Sequence, residues 1–120
     1  MLDLTRLFRT DKNATEYSAG DTIIKVGDVS LEMFIVLEGQ IDIIAHDKVL
    51  ETVNPGGMFG ELALIDASPR SASAVARSNC RIVPVDQKRF QFLVQQHPYF
   101  SLHVMRVLAE RLRRTTESAA

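Results

Sequence analysis

Residues 31–57 read LEMFIVLEGQIDIIAHDKVLETVNPGG. Three short runs within it, MFIVL, QIDIIA and KVLETV, are rich in β-branched and aliphatic side chains and too short for core helices, so they read as strands. Gly39 and the Asn54-Pro55-Gly56-Gly57 cluster punctuate them, where the chain needs positive φ or a preset turn. Working outward, the same signal recurs in TIIKV (22–26), SAVAR (73–77) and CRIVPV (80–85), with Gly20 and Gly27 as further breaks. Strands spaced about every 8 to 12 residues predict a mainly β fold, a small antiparallel jelly-roll β-barrel from Tyr17 to Val85. Pro84 has no N–H to give a ladder and is expected at a strand end or edge.

Both flanks are helical by pattern. Leu4, Leu7 and Phe8 sit at helical spacing, which predicts a short helix covering one end of the core before a polar TDKNATE loop, residues 1–16 in all. After Asp86, a candidate N-cap, KRFQFLVQQ places Phe90, Leu93 and Val94 on one face. His97-Pro98 breaks that helix, and Pro98 suits the first position of a second one running to about Glu117. Along it Phe100, Val104, Val107 or Leu108, and Leu112 form a stripe. Such a stripe packs on its own barrel or against a second copy, which would make a homodimer through the C-terminal helix. The expected organisation is one domain: 1–16, the barrel 17–85, and the C-terminal helices 86–120.

Composition narrows the function classes. With 120 residues and a net charge of -1, there is room for one core and no bulk charge to hold nucleic acid. A single cysteine, Cys80, excludes an intrachain disulfide and suits a reducing compartment. The charged N-terminus is unlike a signal peptide, and no run approaches a membrane span. A cytoplasmic protein with no membrane partner is expected. The three histidines, His46, His97 and His103, are scattered, so neither a metal centre of the cupin kind nor a nucleophile-base pair is legible. No enzyme, metal or cofactor is expected.

The chemistry concentrates in FGELALIDASPRSASAVA, residues 59–76, where Glu61 and Arg70 stand among small and apolar residues. Gly60 opening a helical turn presents N–H groups suited to an anion. Arg70 adds a guanidinium fork matching two phosphate oxygens, and Ser71 a further N–H and hydroxyl. Glu61 would repel a phosphate but can accept from a hydroxyl on the same ligand, such as a ribose 2'-OH. Ala63, Ala67, Ala72 and Ala74 leave room above the backbone. The plainer alternative is that Glu61 and Arg70 pair with each other across a turn for little energy.

This stretch resembles the phosphate-binding cassette of cyclic nucleotide-binding domains. The resemblance is carried by Phe59, Gly60, Glu61, Leu62, Ala63, Leu64, Pro69, Arg70, Ser71, Ala72 and Val75, and upstream by Tyr17, Gly20, Ile24, Gly27, Asp28, Met33 to Val36 and Gly39. It implies a regulatory domain whose ligand is a 3',5'-cyclic nucleotide, cAMP rather than cGMP. Arg70 would hold the phosphate with the N–H groups of Ser71 and Ala72, Glu61 would take the ribose hydroxyl, and Gly60 and Leu62 would line the sugar. In catabolite-activator-like members hydroxyls on the long C-terminal helix contact the adenine; Thr115 and Thr116 fall where those would be, or are surface residues. Ser71 could also serve a guanine.

The last helix is locally basic through Arg106, Arg111, Arg113 and Arg114, but no helix-turn-helix module follows in the 120 residues. Direct DNA binding is therefore not expected. The expected output is movement of the helical tail, acting on an unidentified effector protein or on self-association. The competing reading is a protein-interaction module of the same shape with little nucleotide affinity.

Overall fold

The computed structural model describes the backbone of residues 3–119 and the side chains of residues 3–114. Its two compact units are Asp3–Gln87 and a helical unit from Lys88 onward. In the first, α1 (Leu4–Phe8) is capped by the Asp3 side chain, which accepts from the Arg6 N–H, and it buries Leu4 and Phe8. It packs against β3, as its apolar spacing predicts.

Eight strands follow: β1 (Thr15–Tyr17), β2 (Thr22–Ile24), β3 (Glu32–Glu38), β4 (Ile41–Ala45), β5 (Lys48–Val53), β6 (Met58–Phe59), β7 (Ser73–Ala76) and β8 (Cys80–Asp86), with α2 (Leu62–Asp66) between β6 and β7. They form two four-stranded antiparallel sheets, ordered β1-β8-β3-β6 and β2-β7-β4-β5. This is jelly-roll connectivity, without the hydrogen-bonded closure between sheets that a barrel in the strict sense would have. The core contains Ile24, Phe34, Val36, Ile41, Val53, Phe59, Ala74, Ala76 and Ile82. Fully burying an aliphatic or aromatic side chain of this size is worth about 1.5–3 kcal/mol, so alternation along short strands is enough to hold them.

Several boundaries differ from the sequence expectation. Thr15 and Glu16 belong to β1, paired with Ile82 and Arg81, and not to a loop. Three polar-flanked residues carry no local strand signal and are recruited by the partner strand. Met58–Phe59 is likewise a strand only because β3 pairs with it. β2 ends at Ile24, because Gly27 at φ 92° turns the chain away. Pro84 lies inside β8, opposite Phe34. β1 begins at Thr15 opposite Ile82, so its pairing does not reach Pro84, where on that side β8 is an edge that can do without the missing N–H.

The β4–β5 turn uses no glycine: His46 and Asp47 both adopt positive φ, 53° and 61°, the two-residue geometry whose twist matches a hairpin. Gly39 is required on different grounds, since a Cβ there would collide with the Asn79 carbonyl and lie 2.7 Å from the Cys80 Cβ.

In the helical unit, α3 (Gln87–Gln96) and α4 (Pro98–Ala119) are separated at His97, which therefore sits in the break and not within a helix. Phe90 and Phe100 meet edge-on at 5.6 Å. Phe100 and Val104 are buried, Val107 and Leu108 are half-buried, and Leu112 is 69% exposed. Leu112 thus leaves the stripe expected of it: twelve residues beyond Phe100 it has rotated about 120° from that face.

Candidate functional site

Arg70 and Glu61 are both buried, at 7% and 3% exposure, among apolar neighbours. Burying either charge is costly without partners, and for Arg70 the fold supplies them from the backbone. Arg70 Nη1 donates to the Gly60 carbonyl oxygen at 2.7 Å. Nη2 donates to the Glu32 carbonyl oxygen in a short bond. The main chain of Arg70 is held as well: its N–H donates to Asp28 O, and its carbonyl accepts from Gly27 N–H, both at 2.8 Å.

The span between those two carbonyls is set by strand register. Phe34 on β3 is paired with Phe59 on β6, and their rings stack at 5.1 Å with 17° between planes, worth about 0.5–1.5 kcal/mol beyond burial. Glu32 stands two residues before Phe34 and Gly60 one after Phe59. The ring pair therefore fixes the two acceptors that the guanidinium bridges. Gly60 is at φ 78°, and a Cβ there would lie 2.8 Å from Arg70 Nη1. Only a glycine lets the cassette backbone come this close to the arginine.

One nitrogen of the guanidinium makes neither of these bonds. Arg70 Nε is buried and has no hydrogen-bond partner among the described residues. Burial pulls the Arg70 pKa below its ordinary value, while the nearby charges of Glu32, Glu61 and Asp28 push it back. The guanidinium is thus held in place by the two backbone carbonyls of Gly60 and Glu32.

The other expected site residues are placed as follows. Glu61 directly precedes α2, in helical conformation, with Leu62 54% exposed and Ala63 buried. Ala67 ends the turn at φ 55° and its N–H donates to Ala63 O. Ser71 is exposed and Ala72 half-buried; Ser73 next to them accepts from the Val26 N–H at 3.0 Å. The side chains of Thr115 and Thr116 lie outside the described residues.

A cavity of about 310 Å³ opens beside Arg70, walled by Tyr17, Ile24, Asp28, Glu32 and Phe34, and not by the other cassette residues. Asp28 and Glu32 were not legible as site residues, since both hold Arg70 through backbone carbonyls that any residue could supply. Gly27 and Asp28 were legible only as part of the turn that resembles the family, not as partners of the arginine.

The chain is thus a two-sheet jelly roll that carries a glycine-led helical turn and a backbone-clamped, buried arginine. The sequence model of the cyclic nucleotide-binding domain matches residues 14–97, and the chain belongs to that family. It is 30% identical over 110 residues to the CRP-like cAMP-activated global transcriptional regulator of Mycobacterium tuberculosis, covering 88% of this chain and 49% of the relative. The chain thus spans about half the length of that regulator. Among solved structures, the Thermus thermophilus catabolite activator protein superimposes with a TM-score of 0.80 at 27% identity, over 88% of this chain and 52% of that one. A chain solved in connection with a cyclic-GMP-dependent signalling pathway of bacterial phytopathogenesis matches at 0.78 and 32% identity, over 95% of both chains. Among the described residues no helix is long and apolar enough to cross a membrane.

Proposed function

We propose that the chain binds a 3',5'-cyclic nucleotide, cAMP in preference to cGMP, as a regulatory domain. The observation that carries this reading is Arg70 Nε, a donor of a buried cation with no partner among the described residues. Leaving such a group unsatisfied costs about 1–3 kcal/mol or more, which an arriving phosphate oxygen would recover. The phosphate would meet Arg70 and the N–H groups of Ser71 and Ala72. The ribose 2'-hydroxyl would donate to Glu61, with Phe59, Gly60, Leu62 and Ala63 beside the sugar, and Thr115 and Thr116 would reach the base. Ligand binding would then shift the C-terminal helix and signal to an effector protein, in the cytoplasm and without DNA contact.

cAMP is the ligand named for the mycobacterial relative. A second reading, cGMP, is favoured by the match over 95% of both chains to a protein of a cyclic-GMP-dependent pathway. Competition calorimetry with both nucleotides decides between them. A ligand present at 100 times its Kd raises stability by about 2.7 kcal/mol, so either should raise Tm at millimolar concentration. If neither does, and 5'-AMP is equally inert, the chain is an interaction module with little nucleotide affinity.

A further inference from the structure

Of the cassette residues proposed for the nucleotide, only Arg70 lines the cavity of about 310 Å³. Its other walls come from β1, β2, β3, β8 and the loop between β2 and β3, all inside the unit Asp3–Gln87. The hollow therefore lies on the far side of the arginine from Glu61, Ser71 and Ala72, and no residue of the helical unit is needed to form it. Small-molecule pockets run from roughly 300 to 1,000 Å³, so this one suits a ligand no larger than a single amino acid.

Its floor is apolar, with Ile24, Phe34 and Ile82 all buried. Its walls carry both signs of charge. Glu32 is half-buried; its carbonyl is engaged by Arg70 Nη2, but its carboxylate accepts no hydrogen bond among the described residues. That charge is felt across the hollow: the Tyr17 pKa is raised, first by burial and second by Glu32. Asp28 adds a second carboxylate at the exposed rim. Against these stands Arg70, 7% exposed, with Nε unpartnered among the described residues.

An acceptor and a donor, both short of a partner, thus border one small apolar-floored space, and leaving either unsatisfied is costly. An anion alone would serve Nε and be repelled by two carboxylates. A cation alone would serve Glu32 and be repelled by the guanidinium. A ligand carrying both charges close together satisfies each wall at once.

We infer that this cavity binds a free α-amino acid with an apolar side chain, its carboxylate accepting from Arg70 Nε, its ammonium donating to Glu32, and its side chain lying on Ile24, Phe34 and Ile82. The inference goes beyond the nucleotide reading and does not require it. Because Nε carries a single hydrogen, an amino acid and a phosphate oxygen compete for it.

Calorimetry on the whole chain tests this with leucine as the probe. Isoamylamine and isocaproate each lack one of its charged groups, and glycine lacks its side chain. Leucine should bind saturably at millimolar concentration or below, at least tenfold tighter than any of the three, the scale of one hydrogen bond to a charged group. Ser30→Phe fills the cavity from a wall residue outside the cassette and should abolish leucine binding with the circular dichroism unchanged. Should that variant not fold, Glu32→Gln, which keeps the clamping carbonyl, should weaken leucine at least tenfold and leave isocaproate unaltered, a split that misfolding cannot imitate. Absence of leucine binding overturns the proposal whatever cAMP does, and absence of cAMP binding alone overturns only the nucleotide reading. Equal affinity for leucine and either single-charge probe, or leucine binding that survives these substitutions, also overturns it. Where cAMP binds, saturating leucine should raise its apparent Kd, and an unchanged value removes the amino acid from Nε.

Discussion

Arg70 and Gly60 are joined across the cassette by a 2.7 Å bond from Nη1 to the glycine carbonyl, and the same glycine has no Cβ because that atom would lie 2.8 Å from Nη1. The arginine thus sits where it does partly through what its neighbour lacks. The second acceptor, Glu32 O, comes from β3, so the cation ties the cassette to the sheet before any ligand arrives.

Replacing Arg70 by lysine keeps the charge and loses the fork. One ammonium cannot bridge the Gly60 and Glu32 carbonyls and also keep a donor fixed toward a phosphate. Arg70→Lys should weaken cyclic nucleotide binding at least tenfold by calorimetry and lower Tm by several degrees. An unchanged Kd removes the arginine from the ligand.

Gly60→Ala and Gly20→Ala form a matched pair. Both glycines have positive φ, 78° and 93°, but a Cβ at Gly20 meets nothing within 4 Å. Gly20→Ala should cost only the left-handed backbone penalty, about 1–2 kcal/mol. Gly60→Ala adds displacement of Arg70 and should reduce both stability and nucleotide affinity. Equal effects of the two on affinity would mean that the close approach at Gly60 is incidental.

The proposed role of Glu61 at the sugar can be read with the ligand instead of the protein. The wild type should prefer cAMP over 2'-deoxy-cAMP by about tenfold, the scale of one hydrogen bond to a charged group. Glu61→Ala should bring that ratio close to one. A ratio that survives the substitution places the discriminating acceptor elsewhere.

His103 on α4 has its pKa lowered, first by burial and second by Arg106. Its folded form therefore takes up a proton less readily than the unfolded chain, so this group's contribution is intact above the ordinary histidine value and is lost as pH falls through the lowered one. Stability should decline as pH falls below the ordinary histidine value, and His103→Gln should flatten part of that decline in denaturant midpoints. Parallel pH profiles for the two proteins would exclude the histidine.

The strands β3, β4, β5, β7 and β8, the break at His97-Pro98 and the glycine-led cassette with its two charges were all legible along the chain. Each depends on local periodicity, φ preference or residue type, which neighbouring positions alone determine. The three-residue β1, the two-residue β6, the positive φ at His46 and Asp47, and the exposure of Leu112 were decided only by the folded molecule. So were the acceptors of Arg70, because a backbone carbonyl has no signature in residue identity and reaches the guanidinium only when β3 and β6 pair in register. Local chemistry wrote the elements and nominated the arginine; long-range strand pairing placed the carbonyls that hold it and left Nε without a partner among the described residues.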